Sequence, residues 1–135
     1  MVAAGVSAAD YAAPSLTVTA CLSKGLGAPL GSLLAGPAEV MARARHERKR
    51  LGGGMRQVGV VAAAGLVALD AVGRLADDHR RARALAEAVA ERWPDAGCEP
   101  KDVETNIVLF RHDDPVPLLR YLAGEGVGAV TLGPR

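Results

Sequence analysis

One lysine stands in a loop of small residues, in the segment CLSKGLGAPLGS that spans residues 21–32. Before it, the short run LTVTAC at residues 16–21 is β-branched, which is typical of a buried strand. A lysine held after such a strand can lose its hydration, and its neutral amine is then a nucleophile for a carbonyl group. Ser23 and the loop amides could hold a phosphate or a ring hydroxyl beside Lys24. The alternative interpretation is a solvated surface lysine.

The glycines around Lys24 do not indicate a nucleotide-binding loop. Gly25 and Gly27 lack the correctly spaced third glycine of a dinucleotide fingerprint. Lys24 precedes its glycine, whereas the lysine of a Walker loop follows one.

A second segment, RKRLGGGMRQ at residues 48–57, combines consecutive cations with three glycines and a further arginine. Glycines can turn successive backbone N–H groups towards an anion, and Lys49 and Arg56 would add positive charge. This pattern predicts a phosphate site. A glycine helix stop followed by an exposed charged turn explains it equally well.

The surrounding patterns predict the elements that position both segments. Residues 31–36 are typical of a second short strand, and residues 39–51 of an amphipathic helix that ends at the glycines. Residues 55–72 are apolar nearly all round, which predicts a helix buried on every side. A further amphipathic helix follows Gly73 and runs to about Trp93, where Pro94 stops it.

The C-terminal part of the sequence changes character after residue 94. Residues 95–102, rich in Gly, Pro and charge, predict a linker. Beyond them we expect a strand at 103–111, a short helix at 115–124 and a strand at 127–132. The sequence therefore predicts one domain over residues 1–94 and a small αβ domain over 95–135.

Composition excludes several classes of partner. The chain has 135 residues, is 50% apolar and carries a net charge of +1, so no clustered charge favours nucleic acid or a membrane surface. Cys21 and Cys98 lie far apart without neighbouring histidines or cysteines, so no metal site and no disulfide framework are predicted. No signal peptide and no membrane span are recognised, which makes the cytoplasm the expected compartment.

The strings CLSKGLGAP-x-GS and GGGMRQ, followed by the alanine-rich AAAGLVAL, resemble the threonine aldolases. These enzymes are close kin of the β-eliminating lyases among the fold-type-I pyridoxal-phosphate enzymes. The resemblance implies an α/β fold in which this chain supplies the back half of the large domain and part of the small one. It implies that Lys24 binds pyridoxal 5'-phosphate covalently, with the basic residue Lys49 near the same site; Ser23 is a further candidate because it is adjacent to Lys24. Arg56 would contact the cofactor phosphate across a subunit interface of a homo-oligomer, a dimer or tetramer.

The activity implied is retro-aldol cleavage of threonine, allo-threonine or related β-hydroxy-α-amino acids to glycine and an aldehyde. A β-eliminating lyase or transaminase of the same fold is the alternative enzyme, and a non-catalytic interaction module the alternative outside enzymes. The family's Asp-Gly-Ala-Arg motif has no match before Lys24, where Asp10 is the only acid. The family's substrate-carboxylate arginine falls at or beyond Arg135. We therefore expect a C-terminal portion of an aldolase, trimmed at both ends.

Overall fold

The computed structural model describes residues 1–132 and is rich in helix. Its helices and strands, in chain order, are α1 Ala8–Ala12, β1 Val18–Cys21, β2 Ser32–Ala35, α2 Ala38–Arg50, α3 Val58–Asp70, α4 Leu75–Arg92 and α5 Pro115–Gly124. Three short 3-10 turns lie at Val72–Arg74, Pro94–Ala96 and Pro100–Asp102. Arg135, at or beyond which the family's substrate-carboxylate arginine is expected, lies outside the described residues.

Both strands predicted around the Lys24 loop are present, and they pair with each other in antiparallel fashion. Val18 lies opposite Ala35 and Cys21 opposite Ser32, so the lysine loop is the connection of a hairpin. The expectation of a buried first strand is wrong: only Val18 is half-buried, and β2 is exposed throughout. Within the described chain no second layer covers this two-stranded ribbon, and burial of a strand requires one.

A small apolar cluster joins the hairpin loop to α3. Leu22, Ala28 and Ala68 are buried together, with Leu26 packed against them. The fit is close, because a Cβ placed at Gly65 of α3 would lie 2.9 Å from Cδ1 of Leu22. This face of α3 therefore positions the loop that carries Lys24.

The helix predicted over residues 55–72 forms as α3, but the prediction that it is buried on every side is wrong. Only Gly65 and Ala68 of this helix are buried, whereas Val60 is 78% exposed and Val67 71% exposed. Apolar composition shows that a helix can be buried, but each of its faces is buried only where another element packs against it. The described residues supply one for the loop-facing side.

A second cluster lies around the C-terminal half of α4. Ala86 and Val89 of that helix are buried with Ala96 and Cys98. The segment 95–102, predicted as a linker, is therefore packed rather than free, since two of its side chains lie in this cluster. Backbone bonds support the packing, because the Arg111 N–H donates to the Ala96 carbonyl at 2.8 Å.

Aromatic side chains extend this second cluster. The rings of Trp93 and Phe110 are stacked with centroids 5.7 Å apart, and His112 meets Trp93 edge-on at 5.4 Å. The Arg92 guanidinium lies 5.7 Å from the Trp93 ring centroid. Nδ1 of His112 accepts the Asp114 N–H at 3.2 Å, directly before α5 begins. The aromatic group thus ties the end of α4 to the start of α5.

The two C-terminal strands predicted at 103–111 and 127–132 are absent from the described chain. Strands exist by pairing, and within residues 1–132 only β1 and β2 pair. A β-branched composition predicts a strand, but the strand forms only where a second strand is available to share its backbone hydrogen bonds. The helix predicted over 115–124 is confirmed as α5.

The chain divides into two compact units. One comprises Met1–Arg81 with Glu104–Asn106, and the other comprises Ala82–Val103 with the residues from Ile107 onward. The predicted domains 1–94 and 95–135 stay a prediction. Among residues 1–132 no single helix is long and apolar enough to cross a membrane; only Val58–Asp70 and Val72–Arg92, as one bent pair, meet the criteria of length and composition.

Candidate functional site

Lys24 occupies the first position of a tight turn that is closed by several backbone hydrogen bonds. Its carbonyl accepts the Gly27 N–H at 2.8 Å, and the Ala28 N–H donates to the Leu22 carbonyl at 3.0 Å. At the base of the loop the Leu22 N–H donates to Gly31 at 3.0 Å. Gly27 has φ +77°, a conformation that favours glycine. We call residues 22–31 the lysine turn.

A distant arginine completes the lysine turn. Nη2 of Arg74, on the 3-10 turn that follows α3, donates to the Gly25 carbonyl at 2.9 Å. A Cβ placed at Gly27 would lie 3.2 Å from this nitrogen, and one at Gly25 would lie 2.8 Å from Cδ2 of Leu75. Glycine at these two positions lets the turn approach Arg74 and Leu75 closely.

Ser23 and Lys24 are exposed, unlike Leu22 and Ala28 of the same turn. The expectation that the strand before Lys24 would desolvate its amine is therefore not met within the described residues, because that strand is itself exposed. Beside the turn lies an open cleft of about 450 Å³ lined mainly by apolar residues of the turn and of α3, with Arg74 as its charged member. The turn thus holds the lysine backbone firmly and leaves its amine accessible.

The three glycines after α2 serve first as a helix cap. Gly52 has φ +78°, its N–H donates to Lys49 at 3.2 Å, and the Gly53 N–H donates to Arg48 at 2.8 Å. This pair of bonds is a Schellman motif, which satisfies the last carbonyls of a helix. Two of the amides expected to bind an anion are therefore already used. We call residues 52–57 the glycine loop.

Two cationic side chains, those of Lys49 and Arg56, lie at the glycine loop. A Cβ placed at Gly54 would lie 3.5 Å from Nζ of Lys49, so this ammonium group lies directly beside the loop. Arg56 is exposed, and α3 begins after Gln57 without a side-chain cap and without an acidic residue in its first turn. Lys49, Arg56 and the start of α3 together suit an anion.

Within the chain, α3 separates the tip of the lysine turn from the glycine loop. Gly31 approaches Val61 near the start of α3, and the tip of the turn meets Arg74 and Leu75 beyond its end. Arg56 precedes the helix. With 13 residues, α3 is about 20 Å long, so the structure brings Lys49 to the glycine loop but does not bring Lys24 to Arg56.

Sequence reasoning missed Arg74. It is the only cation between Arg56 and Arg80, and it follows Gly73 at the end of an apolar helix, which is a recognisable signal. Its partner, Gly25, precedes it by 49 residues, and no local pattern joins two positions so far apart.

Comparisons with known proteins bear on the whole segment. A family model described as beta-eliminating lyase matches residues 1–113. The chain is 47% identical over 108 residues to the probable low-specificity L-threonine aldolase 2 of Arabidopsis thaliana, covering 79% of this chain and 30% of that protein. It is 43% identical over 112 residues to the low specificity L-threonine aldolase of Escherichia coli (strain K12), covering 81% and 32% respectively. The chain thus spans about a third of the length of these relatives.

Proposed function

Because this chain belongs to the beta-eliminating lyase family, we propose that it carries the cofactor-binding lysine of a pyridoxal-phosphate enzyme that cleaves threonine and related β-hydroxy-α-amino acids. The products are glycine and an aldehyde. The observation that carries the proposal is the lysine turn, which fixes the backbone of Lys24 by bonds at Gly27 and Gly25 while its amine stays accessible.

The donor set of the chain fits pyridoxal 5'-phosphate. The primary amine of Lys24 can react with the aldehyde group of the cofactor. The cationic side chains of Lys49 and Arg56 can bind its phosphate dianion. Ser23, next to Lys24 and exposed, can donate its hydroxyl to a ring oxygen. When bound, the cofactor supplies an electron sink for the breaking Cα–Cβ bond.

Lys24 would attach the cofactor to the chain, whereas Arg56 and Lys49 would orient it. Lys24 would hold the aldehyde end by its amine, and the lysine turn limits where that amine can move. Arg56 would hold the phosphate with its planar guanidinium, and Lys49 would add a point charge beside the same loop.

We place the two ends of one cofactor on two copies of the chain. Lys24 and Arg56 lie beyond opposite ends of α3, which is about 20 Å long, so Arg56 would reach the cofactor of a neighbouring copy. The enzyme would then be a homo-oligomer, and its expected compartment is the cytoplasm. Metal, nucleic acid and membrane have no part in this proposal.

Threonine is proposed as substrate because the matched relatives bear the name low-specificity L-threonine aldolase. A β-eliminating lyase or a transaminase would use the same lysine on other amino acids. An interaction module would make no use of Lys24 at all. The lysine chemistry and the substrate therefore need separate experiments.

Covalent labelling tests the lysine chemistry. The chain has three lysines, Lys24, Lys49 and Lys101, so peptide mapping after pyridoxal phosphate and borohydride treatment reports all of them. Labelling joins the lysine nitrogen to the aldehyde carbon with loss of water, and borohydride adds hydride to that carbon. We expect Lys24 to be labelled first. Label found mainly on Lys49 or Lys101 contradicts the proposal.

A segment exchange tests the substrate. The matching part of the Escherichia coli enzyme is replaced by this chain, and aldehyde release from threonine is compared with keto-acid formation. We expect aldehyde release that depends on Lys24, with the Lys24→Ala exchange as the matched control. A soluble, cofactor-bound exchange protein that forms only keto acid supports the lyase or transaminase instead.

A further inference from the structure

Arg74 is more than a cleft-lining residue, because its contact falls on the peptide next to Lys24. We propose that Arg74 is a positioning residue for Lys24: its guanidinium fixes the lysine turn so that the amine projects in one direction. The inference rests on the proposed function, since it concerns the same lysine. It assigns Arg74 no contact with substrate or cofactor.

The geometry of the contact supports positioning. The Gly25 carbonyl that accepts Nη2 of Arg74 at 2.9 Å belongs to the residue directly after Lys24. The Lys24 carbonyl is held at the same time by the Gly27 N–H at 2.8 Å. Consecutive carbonyls are therefore fixed by different partners, and the backbone between them has little freedom to rotate.

A positioning residue must itself be held in place, and the backbone of Arg74 is. Its N–H donates to the Ala71 carbonyl at 3.0 Å, within the short turn that links α3 to α4. α3 in turn contacts the lysine turn through Ala68. The arginine and the turn it holds therefore share one support.

Among residues 1–132 the Arg74 guanidinium forms no ion pair with a carboxylate. The two acids that follow it, Asp77 and Asp78, pair with Arg80 at 2.7 Å and Arg81 at 3.4 Å. A charged donor to a neutral carbonyl is stronger than a neutral donor in the same place. An arginine at position 74 therefore makes a stronger bond than a glutamine would, because glutamine has an N–H donor but no positive charge.

Replacement of Arg74 by methionine tests the inference in the full chain, because methionine keeps the apolar stem and removes every N–H donor. We expect the labelling rate of Lys24 to fall about tenfold, in line with the cost of misplacing a reacting group. Lys49 and Lys101, labelled in the same sample, should keep their rates. Arg80→Met, on the exposed side of α4, is the matched control and should label as the parent does.

Two further readouts separate positioning from general packing. Amide hydrogen exchange at Gly27 should accelerate in Arg74→Met, because its acceptor on Lys24 loses support. In Arg74→Ala, free guanidinium ion at a non-denaturing concentration should restore Lys24 labelling. Recovery is specific to the lost guanidinium, since a lost aliphatic stem would not respond to this ion.

The outcomes distinguish this inference from the proposed function. If the parent labels Lys24 selectively and Arg74→Met labels it equally fast, the inference is overturned and the proposed function stands. If the parent labels Lys24 no faster than Lys49 and Lys101, the proposed function fails and the inference falls with it. Slower labelling of all three lysines in Arg74→Met indicates a change in folding and also overturns the inference.

Discussion

The lysine turn and the glycine loop are both rich in glycine and both carry a basic residue, yet they are held in different ways. Besides its own local bonds, the lysine turn is fixed by a residue distant in the sequence, with Arg74 bound to Gly25 at 2.9 Å. The glycine loop is fixed by the helix that precedes it, through bonds to Arg48 and Lys49. A tertiary contact thus supplements the local bonds of the lysine turn, whereas the bonds that hold the glycine loop come from its sequence neighbours.

This difference has a consequence for binding. A turn that is held by a distant residue already has its shape before a ligand binds. Binding therefore does not require the free energy of ordering this turn. The end of the glycine loop at Arg56 is exposed, and its side chain must be ordered when it binds an anion. We expect the lysine side of the site to be preorganised and the phosphate side to form on contact.

The largest predicted effect comes from the separation of the two regions along α3. Within a single copy of the chain Lys24 and Arg56 lie beyond opposite ends of α3, so we expect that a monomer does not place both on one cofactor, and correct positioning is worth roughly 7–11 kcal/mol of a reaction barrier. At concentrations where the purified chain is monomeric, we expect aldehyde release from threonine with pyridoxal phosphate to stay orders of magnitude below about 1 per second. Turnover in the usual enzyme range of about 1–10³ per second would show that one chain unites both regions.

Next in size is the effect of removing the guanidinium of Arg56, which we propose binds the cofactor phosphate. In the segment-exchange enzyme, Arg56→Ala should cost about 1.5–3 kcal/mol, or on the order of 10- to 150-fold in cofactor affinity. A titration of the cofactor followed by its bound absorbance measures this.

Arg50→Ala is the matched control for Arg56. Arg50 is equally cationic and close in sequence, but it pairs with Glu47 at 2.8 Å on the exposed side of α2. Its removal should change cofactor affinity by less than about threefold, because exposed ion pairs contribute little. Equal losses in both variants would mean that the glycine loop attracts phosphate by general charge alone.

The smallest predicted effect compares two glycines with left-handed backbones. Gly27→Ala and Gly52→Ala should each lower the free energy of unfolding by about 1–2 kcal/mol, since φ is +77° and +78° respectively. Only Gly27→Ala should also slow Lys24 labelling, because its new Cβ would lie 3.2 Å from Nη2 of Arg74. Urea unfolding and peptide mapping measure the two effects, and slower Lys24 labelling in Gly52→Ala would contradict the separation of the regions.

Local patterns were sufficient for the elements whose causes are local. The amphipathic helices α2 and α4 and the stop at Pro94 follow from periodicity and from single residues, and the hairpin strands β1 and β2 from their β-branched and glycine-bounded runs. The resemblance to threonine aldolases, read from the residues around Lys24 and Arg56, is likewise confirmed by the matches. The glycine cap at Gly52 was one of the two interpretations that the sequence left open.

Other features depend on partners that a local pattern does not specify. The strands expected at 103–111 and 127–132 had suitable residues but no neighbouring strand among the described residues. The outer faces of α3, including Val60 and Val67, had the composition of a core but no covering layer there. Arg74 carried no local sign of its contact with Gly25, since the fold alone brings them together.

The stacking of Trp93 on Phe110 determines which part of the molecule fluorescence can observe. Trp93 is the only tryptophan of the chain, and its neighbours Phe110, His112 and Arg92 all lie in the same compact unit, which does not include the lysine turn. Tryptophan emission is therefore an optical probe of that unit alone. A melting curve recorded at this wavelength could look unchanged while the backbone around Lys24 had already loosened.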